Sequence, residues 1–243
     1  MNIVETAIHA DMSVKAAEAI IAVVRARPAS VLVLPTGETP RQLFGELIAA
    51  RRSGAADFSR VQFVALDEYA GIKRDDPRGL TPWLWRELLE PLGIQPKQVH
   101  AFDPDPARAV ATITRIETTI VEIGGIDLAV LGLGMNGHLG FNEPGSALDG
   151  RTHVVALAPS SIAAGVAAWG TEANVPRSAI TLGLGTIREA RRLLLIVSGR
   201  RKAAILAKVL TGPIGPTVPA TMIREHPDAT VIADREALTD YRG

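Results

Sequence analysis

The sequence predicts an α/β fold with a mostly parallel central sheet flanked by helices. Three observations carry that expectation. Short apolar runs recur along the chain, each bounded by Gly, Pro or Asp; stretches with helical spacing separate them; and 47% of the 243 residues are hydrophobic. Runs that are apolar on both faces suit strands covered on both sides, the condition of a parallel sheet. Strands alternating with helices imply right-handed crossovers. A single domain over residues 1–243 is expected, because the length suffices for a large core. No linker, repeat, low-complexity tract or shift of composition divides it.

In chain order, Ser13 is a candidate cap for a helix through Arg27, with Val14, Ala17, Ile20, Ile21 and Val24 on one face. Val31–Leu34 and Val61–Leu66 read as strands, separated by a helix over Arg41–Arg51. Helical spacing returns over Pro82–Leu89 and Ala107–Ile123, before a strand at Leu128–Leu133. Thr152–Leu157, Ala179–Leu184 and Leu193–Val197 read as further strands. A helix over Arg200–Leu210 and a strand at Thr230–Ala233 complete the pattern.

Charge and composition remove several classes of function. Basic and acidic side chains balance at 26 each, and the basic runs Arg191-Arg192 and Arg200-Arg201-Lys202 are short. A nucleic-acid partner is therefore not expected. No apolar run approaches the roughly 18 residues of a spanning helix, so no membrane partner is expected. The start, Met1 to Ser13, contains Glu5 and lacks the basic and apolar parts of a secretory signal. A soluble cytoplasmic protein is the expectation. The absence of Cys removes thiol nucleophiles, disulfides and Cys-bound metal centres.

Ligands of open α/β sheets bind outside the carboxyl ends of the strands, which directs attention to the loops there. Pro35-Thr36-Gly37-Glu38-Thr39-Pro40 follows the first apolar run. Thr39 is a plausible cap and Pro40 a plausible first helical residue. A helix N-terminus opening on such a loop presents free N–H groups to an anion, phosphate above all. A plain capped turn is the alternative, since the loop lacks the Gly-Lys-Ser/Thr of a nucleotide P-loop. Asp67-Glu68-Tyr69 follows Phe63–Leu66. Side chains alternate along extended chain, so one carboxylate can enter the crevice while the other meets solvent or a structural partner. A carboxylate beside a buried strand can serve as a general base.

The third loop runs from Gly132 to Gly145 and contains a formal G-x-G-x-x-G at Gly132, Gly134 and Gly137. A dinucleotide site is not expected from it. That fingerprint needs a helix opening inside the motif, and Gly140, Pro144 and Gly145 prevent one. What remains is a polar set, Asn136, His138, Asn142 and Glu143, on a glycine-rich loop. Glu143 is placed to orient His138. Finally, Lys202 sits in the first turn of a helix, against the helix dipole. An anion bound there would account for it, and a solvated basic turn is the alternative.

These segments resemble the glucosamine-6-phosphate deaminases of the sugar-phosphate isomerase and lactonase superfamily, nearly end to end. The matching residues are Leu34–Pro40, Leu66–Gly71, Gly137–Gly145, Arg151–His153, Ile180–Gly183, Ser198-Gly199 and Lys202. The most specific stretch is Gly137-His138-x-x-Phe141-Asn142-Glu143-Pro144. Related 6-phosphogluconolactonases carry a Gly-His loop without the Asn-Glu-Pro. The resemblance implies a modified Rossmann-like fold and the conversion of a hexosamine 6-phosphate to a ketose phosphate and ammonia, without metal or cofactor. It makes Asp67 the base acting between C2 and C1. His138 becomes a ring-opening group supported by Glu143, with Asn136 beside them. Thr36, Gly37, Glu38, Thr39, Gly137 and Lys202 fall around the phosphate, at two helix N-termini meeting at the sheet edge.

The chain departs from the family pattern twice. Asn136 stands where some members carry Asp, and Ser161–Trp169 contains no Arg where deaminases usually carry one for the phosphate. The alternatives are a galactosamine-6-phosphate isomerase, a lactone hydrolase with His138 as its base, and a non-catalytic sugar-phosphate sensor. The segment Gly71–Pro82 is a candidate substrate-facing loop. The sequence leaves the oligomeric state open.

Overall fold

The computed structural model describes residues 1–242, so only the last residue of the expected domain lies outside the described residues. In chain order the elements are β1 (Asn2–Thr6), α1 (His9–Ala26), β2 (Val31–Leu34), α2 (Arg41–Arg52), β3 (Gln62–Ala65) and β4 (Asp67–Tyr69). Next come α3 (Leu80–Leu84), a π-helical turn over Trp85–Leu89, α4 (Glu90–Leu92), β5 (Val99–His100), α5 (Ala109–Glu122) and β6 (Leu128–Gly132). The second half holds β7 (His153–Ala156), α6 (Pro159–Trp169), β8 (Ser178–Thr181), α7 (Leu184–Arg188) and β9 (Leu193–Val197). It ends with α8 (Ala203–Thr211), β10 (Ala229–Asp234) and α9 (Arg235–Leu238).

Seven strands form one parallel sheet in the order β1-β10-β9-β6-β2-β3-β5. The apolar runs are continuous because both faces are covered. Val31, Val33, Ala129, Leu131, Leu193 and Leu195 enter the core on one side, with α5 and α8. The alternate residues Leu32, Leu34, Leu128, Val130, Leu194 and Ile196 enter the core on the other, with α1 and α2. From β2 the chain proceeds one way to β3 and β5; from β6 it proceeds the other way to β9 and β10. The direction of winding reverses between β2 and β6, which opens a crevice at their carboxyl ends.

Several elements differ from expectation. Val61–Leu66 stops at Ala65 as β3, and Asp67–Tyr69 forms a separate strand. That strand pairs antiparallel with β8, which pairs antiparallel with β7. The runs Ala179–Leu184 and Thr152–Leu157 thus belong to a small second sheet, not to the parallel one. Tyr69, Leu157, Ile162, Trp169, Val175 and Ala179 pack together against it. β1 is a strand that the apolar pattern does not signal, since only one residue of Asn-Ile-Val-Glu-Thr is buried. Ser13 caps nothing: α1 starts at His9, and the Ser13 hydroxyl is buried without a hydrogen-bond partner. Pro40, not Thr39, occupies the cap position of α2, already with helical angles.

Candidate active site

The three loops singled out in the sequence follow β2, β3 and β6, and a fourth carries Lys202 after β9. All four leave carboxyl ends of neighbouring parallel strands around the crevice. The N-termini of α2 and α8 therefore lie in the middle of the sheet, on either side of β6 and on opposite faces, and not at a lateral edge.

The loop after β6 builds the densest polar cluster. His138 Nδ1 lies 3.3 Å from Glu143 Oε2 and 3.4 Å from Ser161 Oγ. Asn136 Nδ2 donates to Glu143 Oε2 at 2.7 Å and to Ser160 Oγ at 2.9 Å. Asn136 Oδ1 accepts the backbone N–H of His138 at 3.2 Å, and the N–H of Ala158 donates to Glu143 Oε1 at 3.1 Å. Burial of Glu143 opposes its charge, but hydrogen bonding by His138, Ser161 and Asn136 outweighs it and brings the carboxyl down to about 2. Glu143 is thus a fixed anion beside the imidazole, held from both sides.

Two glycines are needed for this geometry. A Cβ on Gly134 would lie 2.3 Å from the His138 ring, so the imidazole rests directly on the backbone there. Gly137 has φ +88°, and a Cβ would meet Val218 Cγ1 at 2.6 Å. The glycine content of this loop thus serves close approach of a side chain, as well as positive φ.

Asp67 and Glu68 point to opposite sides of β4, as alternation requires. Glu68 is a structural acceptor: its carboxylate receives the N–H groups of Tyr69, Leu80 and Thr81 at 2.8–2.9 Å. It therefore ties the end of the Gly71–Pro82 segment to the back of β4. Asp67 is only 9% exposed, and no described side chain or N–H donates to its carboxylate within hydrogen-bond reach. Burial, and secondarily the charge of Glu68, pushes it up to about 8. A carboxylate left without donors is a better proton acceptor than one that is capped.

Thr181 joins the two halves. It stands opposite Asp67 in the β4–β8 register. Its Oγ1 accepts the N–H of Phe141 at 3.2 Å and donates to the carbonyl of Leu182 at 3.2 Å. Leu182 in turn donates its N–H to Leu66 at 2.8 Å, and Asn142 Nδ2 donates to the Leu182 carbonyl at 2.8 Å. The His138 loop is thereby bonded to the strand that carries Asp67.

Thr36 and Thr39 are half-buried and Gly37 is exposed with φ +106°. The Glu38 side chain is 86% exposed and pairs with Arg41 at 3.0 Å, so its carboxylate is taken up at the surface. Lys202 caps α8 after a 3₁₀ turn over Arg200–Lys202. Its Nζ folds back to donate to the Leu133 carbonyl at 2.5 Å, which sets it at the carboxyl end of β6. Burial, then the charge of Arg201, lowers it to about 8. Asp234 holds the turn in place by accepting the Gly199 N–H at 3.0 Å and the Ser198 hydroxyl at 2.5 Å.

Sequence reasoning missed Ser160, Ser161 and Thr181. Ser160 and Ser161 follow Pro159 at the start of α6 and resemble capping residues, and Thr181 is one polar residue at the end of an apolar run. Among the described residues, no group of three or more His, Asp or Glu is clustered to hold a metal ion. Nor is any described helix long and apolar enough to cross a membrane.

Comparison with known proteins identifies the family and the fold. Residues 4–232 match the family model described as glucosamine-6-phosphate isomerases/6-phosphogluconolactonase. The glucosamine-6-phosphate deaminase of Geobacillus sp. (strain WCH70) is 40% identical over 239 residues, covering 98% of this chain and 95% of that one. The solved structure of a monomeric glucosamine-6-phosphate deaminase superposes with a TM-score of 0.96 at 33% identity, covering 99% of this chain and 100% of that one. A 6-phosphogluconolactonase from Leishmania guyanensis shares the fold alone, with a TM-score of 0.73 at 21% identity over 97% of both chains. With a family match over nearly all its length and the expected loops at one crevice, the chain belongs to the glucosamine-6-phosphate isomerase/6-phosphogluconolactonase family.

Proposed function

We propose that this protein converts glucosamine 6-phosphate and water into fructose 6-phosphate and ammonia. The observation that carries the reading is Asp67: a buried carboxylate without donors, raised to about 8, on a strand bonded to the His138–Glu143 loop. Moving a proton between adjacent carbons needs such a base in addition to His138, whereas opening a lactone needs one base to activate water, the part His138 takes in that alternative. The deaminase names of the relatives support the same reading.

In the mechanism His138 relays the proton from the C1 hydroxyl to the ring oxygen, and the sugar opens to an aldehyde. Glu143 and Asn136 keep the imidazole oriented for that transfer. Asp67 then takes the proton from C2 while a proton passes from the substrate's ammonium group to O1, giving an enolamine, and Asp67 returns the proton it holds to C1. The C2 imine that results adds water and expels ammonia, leaving the ketone. The step at C2 is an isomerisation and the step at the imine a hydrolysis. Thr36, Gly37, Thr39, the backbone of Glu38, Gly137 and Lys202 surround the phosphate in this reading. A substrate retained in cells by its phosphate places the enzyme in the cytoplasm.

The test is ammonia release from glucosamine, galactosamine and N-acetylglucosamine 6-phosphates, run beside hydrolysis of 6-phosphogluconolactone. Glucosamine 6-phosphate should be the preferred substrate. Lactone hydrolysis without ammonia release from any amino sugar would refute the reading.

A further inference from the structure

A cavity of about 520 Å³ lies on the other side of β4 from Asp67, between the Gly71–Thr81 segment, the end of β5 and the first half of α5. Its size falls within the range of small-ligand sites, about 300–1,000 Å³. Glu68 forms part of its inner wall, so strand alternation separates it from the Asp67 crevice.

The lining is cationic. Arg74, Arg108 and Arg115 face it, together with Asp103. Asp103 is shared by two of them, at 2.7 Å from Arg74 and 3.4 Å from Arg108. Arg115 donates to the Ala101 carbonyl at 2.5 Å and the Thr112 hydroxyl at 3.1 Å, both neutral acceptors. Glu68 also lines the cavity, with its carboxylate accepting three backbone N–H groups, and Arg108 additionally approaches Asp105 at 3.9 Å. The excess is felt nearby: burial first, and then the Arg115 charge, lowers His100. Val99 and Phe102 add apolar surface to the same wall.

We propose that this cavity is a second binding site, for a small phosphate ester, with the phosphate on the three guanidinium groups and the carbon body against Val99 and Phe102. Guanidinium groups match phosphate oxygens in geometry as well as charge, and among the described residues Arg115 pairs with no carboxylate. The site is independent of the reaction assigned to Asp67.

Calorimetric titration of the full chain with glucose 6-phosphate, which has no amine to lose, tests it. The wild type should bind two equivalents. Arg74→Ala/Arg108→Ala removes two exposed side chains and should weaken one equivalent by about tenfold or more, the loss of charged hydrogen bonds. Lys202→Ala should weaken the other equivalent and spare this one. Arg74→Glu provides a second variant with the same expected direction. Fewer than two equivalents in the wild type, or arginine variants that titrate like the wild type, would overturn the proposal. Failure of the deaminase reading would instead appear in the ammonia assay.

Discussion

At the scale of single residues, Asp67 couples chemistry to stability. Its folded value of about 8 lies above the 3.8 of a free carboxyl, so the fold disfavours its ionised form. The wild type should therefore lose stability as pH rises from about 4 and through about 8, where Asp67 gives up its proton inside the protein. Asp67→Asn has no proton to lose. Thermal unfolding of the two proteins should show the difference moving in the variant's favour across that window; a difference independent of pH would contradict the burial argument. His138 makes a separate demand. In the proposed reaction the ring opens before C2 reacts, and His138, with Glu143 at 3.3 Å, serves that step. His138→Gln should lose far more activity on cyclic glucosamine 6-phosphate than on an analogue fixed in the open-chain form. Equal losses would make His138 the chemical base or a structural residue of its loop.

At the scale of elements, the arrangement depends on how strand ends are joined. Thr181 on β8 connects the loop after β6 to the strand carrying Asp67. Thr181→Val keeps the shape but leaves the Phe141 N–H without its acceptor, at a cost of about 1–3 kcal/mol. Turnover should fall by about ten- to a hundredfold with KM little changed, since misplacement of reacting groups is expensive; an unchanged turnover would remove Thr181 from any positioning role. Lys202 belongs to the junction of β9 and α8. Its charge is lost as pH rises through about 8, while Asp67 becomes active through the same range. The profile of kcat/KM should be a narrow bell near pH 8. Lys202→Arg should abolish its alkaline limb, because Arg keeps its charge, whereas Lys202→Ala should raise KM more than it lowers kcat. An alkaline limb that persists in Lys202→Arg would belong to another group.

Element existence was readable in the sequence wherever burial on both faces made the apolar run continuous, as in β2, β6 and β9. Capping was not. Ser13 looks like a cap and is a buried small residue, because the packing of α1 on β10 rewards a longer helix starting at His9. Pairing direction was equally hidden, since β7 and β8 carry the same residue types as parallel strands.

At the scale of the whole molecule, one topological feature assembles the site. Winding reverses between β2 and β6, so four loops far apart in sequence open onto one crevice. The grouping of Asn136, His138 and Glu143 could be read from sequence because their residue types are chemically telling and their loop follows a buried strand; alternation left Asp67 and Glu68 as a pair, of which the family resemblance singles out Asp67. Ser160, Ser161 and Thr181 could not, as hydroxyls are common at helix starts and strand ends and only tertiary contact gives them a task. We treat the whole chain as a single domain, with the small antiparallel sheet fastened to the main one through Leu182 and Leu66. Transfer of the C2 proton by Asp67 is the event on which the proposed reaction depends. The most direct test is steady-state ammonia release by Asp67→Asn beside the wild type, with glucosamine 6-phosphate as substrate. Turnover should fall by about a hundred- to ten-thousandfold while KM stays near the wild-type value; near-normal turnover in the variant would contradict the assignment of the base and the mechanism built on it.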